Sequence, residues 1–181
     1  MRPAQVFLGL GSNRRRYHHI NLGLRALHDR FASATAPMHV TRVFESEAVG
    51  FAGHDFLNTV VALQTTLSIT ELAQACKAIE KGHGHLSSAA KYSPRTLDID
   101  VLMYNDEVCS APVQLPRAEI IHNAFVLWPL AELAPEKRHP VDGRKLIDIW
   151  RNYRGEQRLQ PIEFEFENLP YLVTPTMNKE A

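Results

Sequence analysis

The sequence predicts an α+β fold, a ferredoxin-like α/β sandwich with a mainly antiparallel sheet and helices packed on one face. Three observations carry this. The periodic segments follow the order strand, helix, strand, strand, helix, strand. The stretch Ser93–Tyr104 alternates apolar and polar residues behind a proline, which is the period of a half-buried strand. Finally, 181 residues, 45% of them hydrophobic, suffice for one core of ordinary size.

The first element is the apolar run Gln5–Leu10, ending in Gly9-Leu10-Gly11-Ser12-Asn13 and read as a strand entering a turn. These glycines do not make a dinucleotide loop, because the third glycine and the following acidic residue are missing. As a tight turn, the segment assigns Asn13 to side-chain hydrogen bonds between neighbouring loops. Tyr17–Phe31 carries Ile20, Leu24, Leu27 and Phe31 at helical spacing. His39–Phe44 is a second strand, Glu45–Asp55 a loop with Gly50 and Gly53, and Phe56–Leu67 a long third strand. Ser68 and Glu71 form a capping box that starts a helix running to about Lys81, with Gly82 ending it.

His83–Tyr92 has small polar residues and no periodicity, and leads into the strand after Ser93. Asn105-Asp106 is a turn, Glu107–Cys109 a short returning strand, and Pro112–Asn123 irregular. Phe125–Leu133 is an apolar helix stopped by Pro135, and Leu146–Trp150 belongs to a final helical stretch. Residues 1–155 therefore form the domain and 156–181 an extension. Within the extension Ile162–Glu167 alternates as an added edge strand, and the residues from Thr174 onward fray.

Net charge is zero, which excludes a global basic field for nucleic acid. Two cysteines, Cys76 and Cys109, make neither a disulfide framework nor a zinc site. No apolar run reads as a signal peptide or a membrane span, so the expected location is cytoplasmic, with small molecules as partners and a monomer or small homo-oligomer as the assembly.

The chemistry concentrates in the strand after Ser93. Leu97, Ile99 and Val101 point into a core, while Thr96, Asp98 and Asp100 point the other way. The α-carbons of Asp98 and Asp100 lie about 6–7 Å apart on one rigid face. Carboxylates so spaced can bridge a hard cation such as Mg²⁺. Arg95, just ahead of them, can meet an anion that the metal also holds. A solvated edge strand is the bland alternative, although Asp is depleted in strands. The sequence thus suggests metal-assisted chemistry on a phosphate ester. His83-Gly84-His85 adds a second possible metal site, for a transition metal shared with Asp98 or Asp100.

The run Pro94-Arg95-Thr96-Leu97-Asp98-Ile99-Asp100 resembles the signature of the 6-hydroxymethyl-7,8-dihydropterin pyrophosphokinase family. Gly9–Asn13, Phe56-Leu57-Asn58, Phe125-Val-Leu-Trp-Pro-Leu and Glu132-Leu-Ala-Pro match further blocks of that family in order, over roughly residues 5 to 150. The resemblance implies an ATP-dependent diphosphotransferase of folate biosynthesis that moves pyrophosphate from ATP to the pterin hydroxymethyl group and leaves AMP. It implies that Asp98 and Asp100 hold two Mg²⁺ ions on the triphosphate and are catalytic with Arg95. It implies that Asn58 hydrogen-bonds the pterin, that Phe56 and Phe125 sandwich its ring, and that Val49 lines the same pocket. Glu80, Lys91, Tyr92, Arg95 and Arg117 fall on the ATP side.

The departures from the family pattern cluster on that ATP side. His85, Ser87 and Ser88 stand where the family carries basic residues, Tyr92 where it has tryptophan, and Pro112 and Asn123 at two later basic positions. Its Pro-His-Pro-Arg run is Pro116-Arg117-Ala118-Glu119 here. A hydrogen bond to a charged group contributes about 1.5–3 kcal/mol, so three uncompensated losses would weaken triphosphate binding by roughly three to six powers of ten. Arg117, Lys91 and the cluster Arg14-Arg15-Arg16 are the candidates for compensation. These departures define the alternative, a pterin-binding paralogue with lost or altered kinase chemistry.

Overall fold

The computed structural model describes residues 2–47, 55–82 and 96–176. Two long strands form the centre of the sheet. β1 (Ala4–Ser12) and β4 (Phe56–Thr65) pair antiparallel from Ala4↔Thr65 to Ser12↔Leu57. β5 (Asp98–Tyr104) lies antiparallel on the free side of β1, while β2 (Met38–Val40) and β3 (Val43–Ser46) pair antiparallel with β4. The order β5-β1-β4-β2 is the ferredoxin-like arrangement read from the sequence.

α1 (Arg16–Phe31) and α2 (Ile69–Gly82) cover one face. Ile20, Leu24 and Leu27 of α1, with Leu72 and Cys76 of α2, share a core with Val6, Leu8 and Leu10, with Leu57, Val61 and Leu63, and with Leu97, Ile99 and Val101. The alternation of the Asp98 strand therefore has the expected sense. The capping box is also in place: the Ser68 amide donates to Glu71 Oε2 at 2.9 Å, and the Glu71 amide donates to Ser68 Oγ at 3.2 Å.

The structure adds to or changes the expected layout in four places. Helices cover both faces rather than one. α3 (Glu119–His122), α4 (Ala124–Leu133) and α5 (Leu146–Arg151) pack on Phe7, Val60, Ala62, Leu102 and Met103 to build a second core. The cause lies in the sequence: Ala124–Leu133 is apolar nearly all round and needs its own surface to bury. A register shift between β1 and β5 at Phe7/Leu8 lets Leu102 and Met103 both enter that second core.

The expected strand His39–Phe44 is two strands, broken at Thr41-Arg42. The Thr41 hydroxyl takes the Val60 amide at 3.0 Å and meets Thr59 Oγ1 at 2.9 Å, replacing a regular ladder step. β3 then reaches Ser46, into the stretch read as loop. The irregular stretch before Asn123 contains α3 and two cis X-Pro bonds, at Pro112 and Pro116.

The added edge strand lies earlier than expected. β6 (Leu159–Ile162) pairs with β3, and the alternating residues beyond it run as an extended strap over α1 to β7 (Leu172–Val173), which pairs parallel with β2. Phe164 and Phe166 of this strap pack on the first core, so their alternation serves a helix surface instead of a sheet. Among the described residues no helix is long and apolar enough to cross a membrane.

Candidate active site

The face that carries α4 also carries the site. Gly11 of β1 is the cross-strand neighbour of both Asp98 and Asn58, and Asn58 is in turn opposite Phe44. One residue pair further along, Gly9 stands between Asp100 and Val60. Directly opposed residues share a face, so both carboxylates and the Asn58 amide project to the same side of one rigid sheet. Gly11 leaves the space between them open. A Cβ there would sit 3.5 Å from Asn58 Oδ1 and 3.8 Å from Phe56 Cδ1. Phe56, two residues before Asn58, is half-buried on the same face.

Asn58 is 7% exposed and held in place. Its Nδ2 donates to Ser46 Oγ at 2.7 Å, which leaves the second N–H and Oδ1 for the site. Ser46 lies in the stretch that the sequence reads as loop, and the structure makes it the last residue of β3. Val43-Phe44-Glu45-Ser46 runs apolar, apolar, polar, polar, so periodicity carries no signal for a strand reaching Ser46. Phe125 sits in the first turn of α4, half-buried against the second core.

Asp100 has Arg117 Nη2 3.6 Å from its Oδ1, and Arg117 Nε also contacts Glu119 at 2.9 Å. Burial, and then the neighbouring Asp98 carboxylate, push the Asp100 carboxyl up to about 7, against the opposing pull of Arg117. Two carboxylates with Arg117 as the arginine beside them among the described residues form an electrostatically unfavourable pair that a dication would relieve. No cluster of three or more His, Cys, Asp or Glu side chains able to hold a metal occurs among the described residues. The donor set fits Mg²⁺, which is commonly bound by one or two carboxylates together with substrate phosphates.

Glu80 is the second acidic group whose carboxyl is raised, chiefly by burial with Asp98 adding to it. It is 1% exposed, and its Oε1 accepts the Ile99 amide at 2.8 Å. Its other oxygen is 3.7 Å from Lys77 Nζ. Glu80 is thus a clamp on the outer edge of β5, holding the backbone between Asp98 and Asp100. Ser12 holds the residues leading into the same strand, its hydroxyl donating to the Thr96 carbonyl.

Of the arginine cluster, Arg16 is engaged elsewhere. It donates to Glu45 Oε2 at 2.7 Å and to the Asp55 carbonyl at 2.9 Å, joining the end of β3 to the start of β4. Asn123 is the residue before α4, and its Oδ1 accepts from Gln157 Nε2 at 3.1 Å. Val49, Lys91, Tyr92 and Arg95 lie outside the described residues, as do His83, His85, Ser87 and Ser88.

Paired carboxylates beside an arginine, sharing a sheet face with a fixed amide, suit a transferase that handles a metal-bound phosphate chain. More narrowly, the chain belongs to the 7,8-dihydro-6-hydroxymethylpterin-pyrophosphokinase family, whose model matches residues 7–135. It is 32% identical over 161 residues to the 2-amino-4-hydroxy-6-hydroxymethyldihydropteridine pyrophosphokinase of Aquifex aeolicus, covering 88% of this chain and 96% of the relative. The enzyme of that name from Pseudomonas aeruginosa is 34% identical over 149 residues, covering 80% of this chain and 89% of its own.

Among solved structures, an HPPK-DHPS in complex with substrates aligns at TM-score 0.66 and 10% identity over 84% of this chain and 44% of that one. Wild-type Plasmodium falciparum HPPK-DHPS with pteroate aligns at TM-score 0.65 and 13% identity, over 84% and 42% respectively. The chain spans less than half of these longer solved chains, and at such identities they bear on the fold alone.

Proposed function

We propose that this site transfers pyrophosphate from ATP to 6-hydroxymethyl-7,8-dihydropterin, giving the pterin diphosphate and AMP for folate synthesis. The row Asp98–Gly11–Asn58 carries the reading, because it sets a phosphate-metal anchor and a heterocycle-reading amide on one rigid surface. Family membership makes the chain an ATP-dependent diphosphotransferase and does not favour the alternative of a pterin-binding paralogue with lost or altered chemistry.

In this reading Asp98 and Asp100 would hold two Mg²⁺ ions, whose charge would offset that of the triphosphate. Arg117, beside Asp100, would contact the phosphate chain. Arg95 serves the same chain. Glu80 acts indirectly, by fixing the backbone of β5 so that the two aspartates keep their spacing. Asn58, oriented by Ser46, bonds the pterin edge while Phe56, Phe125 and Val49 cover its faces. Lys91 and Tyr92 border ATP. The pterin hydroxyl oxygen attacks the β-phosphorus and gives up its proton to solvent, the bond from that phosphorus to the α-phosphate oxygen breaks, and AMP leaves. Little covalent chemistry falls to the protein, whose contribution is positioning and charge.

Purified protein given 6-hydroxymethyl-7,8-dihydropterin, ATP and Mg²⁺ is expected to release AMP, and Asp98→Ala to abolish that release. Pterin binding by calorimetry without any AMP would overturn the reading in favour of the binding paralogue.

A further inference from the structure

The C-terminal extension lies beyond the residues matched by the family model, yet its first residues reach both sides of the pterin pocket. Gln157 Oε1 accepts the Ala124 amide at 2.7 Å, and Gln157 Nε2 donates to Asn123 Oδ1 at 3.1 Å. The first amides of a helix lack partners within it, and Asn123 supplies no side-chain cap of its own to α4. Gln157 therefore caps α4 from outside, one residue before Phe125. Directly afterwards β6 pairs with β3, Leu159 opposite Ser46 and Gln160 opposite Glu45. Ser46 is the residue whose hydroxyl orients Asn58. Arg158 adds an ion pair to Glu47 at 3.2 Å.

The rest of the strap is anchored far from the site. Phe164 stacks on Tyr17 with ring centroids 5.7 Å apart, Asn21 bonds the backbone of Glu165 and Glu167, Arg25 pairs with Glu167, and Tyr171 stacks on His28. Covering the edge of β3 would need only the backbone ladder of β6. The side chain of Gln157 does something further, since it ties the start of α4 to the strand that fixes Asn58.

We infer that Gln157 is a positioning residue for the pterin, holding the first turn of α4, and with it Phe125, at a set distance from the Asn58 amide. The inference rests on the pterin reading of Phe125 and Asn58 given above. Preorganised walls raise affinity by removing the ordering cost at binding. Loss of the cap therefore acts on pterin and not on the triphosphate, which binds at the other end of the row.

The test measures pterin affinity by calorimetry and steady-state KM for each substrate, on the full chain. Gln157→Ala is expected to raise the pterin Kd and KM by about three- to ten-fold, the scale of a lost helix cap, with KM for ATP and kcat at saturating pterin unchanged. Gln157→Glu keeps an acceptor for the Ala124 amide and is expected to recover most of the affinity. Tyr171→Ala loosens the strap at its far end and is expected to lower Tm without weakening pterin binding. Unchanged pterin affinity in Gln157→Ala overturns the inference, as does an equal loss in Tyr171→Ala or a parallel rise in KM for ATP. A wild-type chain that binds no pterin overturns the activity reading itself, whereas a binding wild type with an equally tight Gln157→Ala overturns only the role of Gln157.

Discussion

Asn58 and Asp98 stand on either side of Gly11, in one row across three strands and on one face of the sheet. No side chain rises between them at that position. The amide and the carboxylate therefore border a common floor, and the floor exists because residue 11 lacks a Cβ.

Gly11→Ala separates stability from function. The added carbon would meet Asn58 Oδ1 at 3.5 Å and Phe56 Cδ1 at 3.8 Å, which is ordinary contact. Glycine in a strand interior costs roughly 0.5–1 kcal/mol relative to alanine, so Tm should stay level or rise. Pterin affinity should fall by about ten-fold or more as the floor fills, on the scale of 1.4 kcal/mol per decade. Calorimetry alongside a thermal melt checks both halves.

Asp100 links stability to pH in the metal-free protein. Its folded pKa is raised to about 7 from 3.8. Between those values the folded state keeps a proton that the unfolded chain has released, so stability is fully present below pH 4 and falls as pH rises through 7. Asp100→Asn should flatten this fall and make the metal-free protein the more stable of the two at pH 8. Mg²⁺ should raise the Tm of wild type at pH 8 more than that of the variant. Melts across pH 4 to 8, with and without chelator, decide the matter.

Arg117 is the described arginine nearest the carboxylate pair, 3.6 Å from Asp100. Removing a bond to a charged phosphate costs about 1.5–3 kcal/mol. Arg117→Ala should therefore raise KM for ATP by roughly ten- to a hundred-fold, with pterin affinity unchanged. An equal effect on both substrates would place Arg117 in the scaffold instead.

Ser68→Ala removes one half of the capping box of α2. The expected loss is about 1 kcal/mol of unfolding free energy in urea, with both KM values unchanged. A change in activity would mean that α2 transmits strain through Glu80 to β5.

Much of the fold was legible because it is written in local periods. The alternation of Leu97, Ile99 and Val101 against Asp98 and Asp100, and the Ser68/Glu71 cap, are short-range patterns with direct physical causes. The break at Thr41 was not legible, because it depends on a hydroxyl meeting Thr59 and the Val60 amide from another strand. Nor was the second helical face, since the apolar run of α4 reads equally well as a helix buried anywhere. The tail misled by its alternation: Phe164 and Phe166 alternate against α1 and its core rather than along a ladder.

The same division holds for the site. By itself the sequence determined the chemistry available, namely two carboxylates on one strand face, an asparagine behind an aromatic residue, and a motif run shared with one enzyme family. Tertiary structure alone decided that these meet. Cross-strand register put Asp98 and Asn58 on opposite sides of Gly11, closed Glu80 onto β5, and brought Gln157 to the start of α4. The reason is range. Periodicity and capping act over a few residues, whereas register and strap contacts are chosen by burial of the whole sheet at once, where a one-residue slip would turn every side chain of the row to the other face.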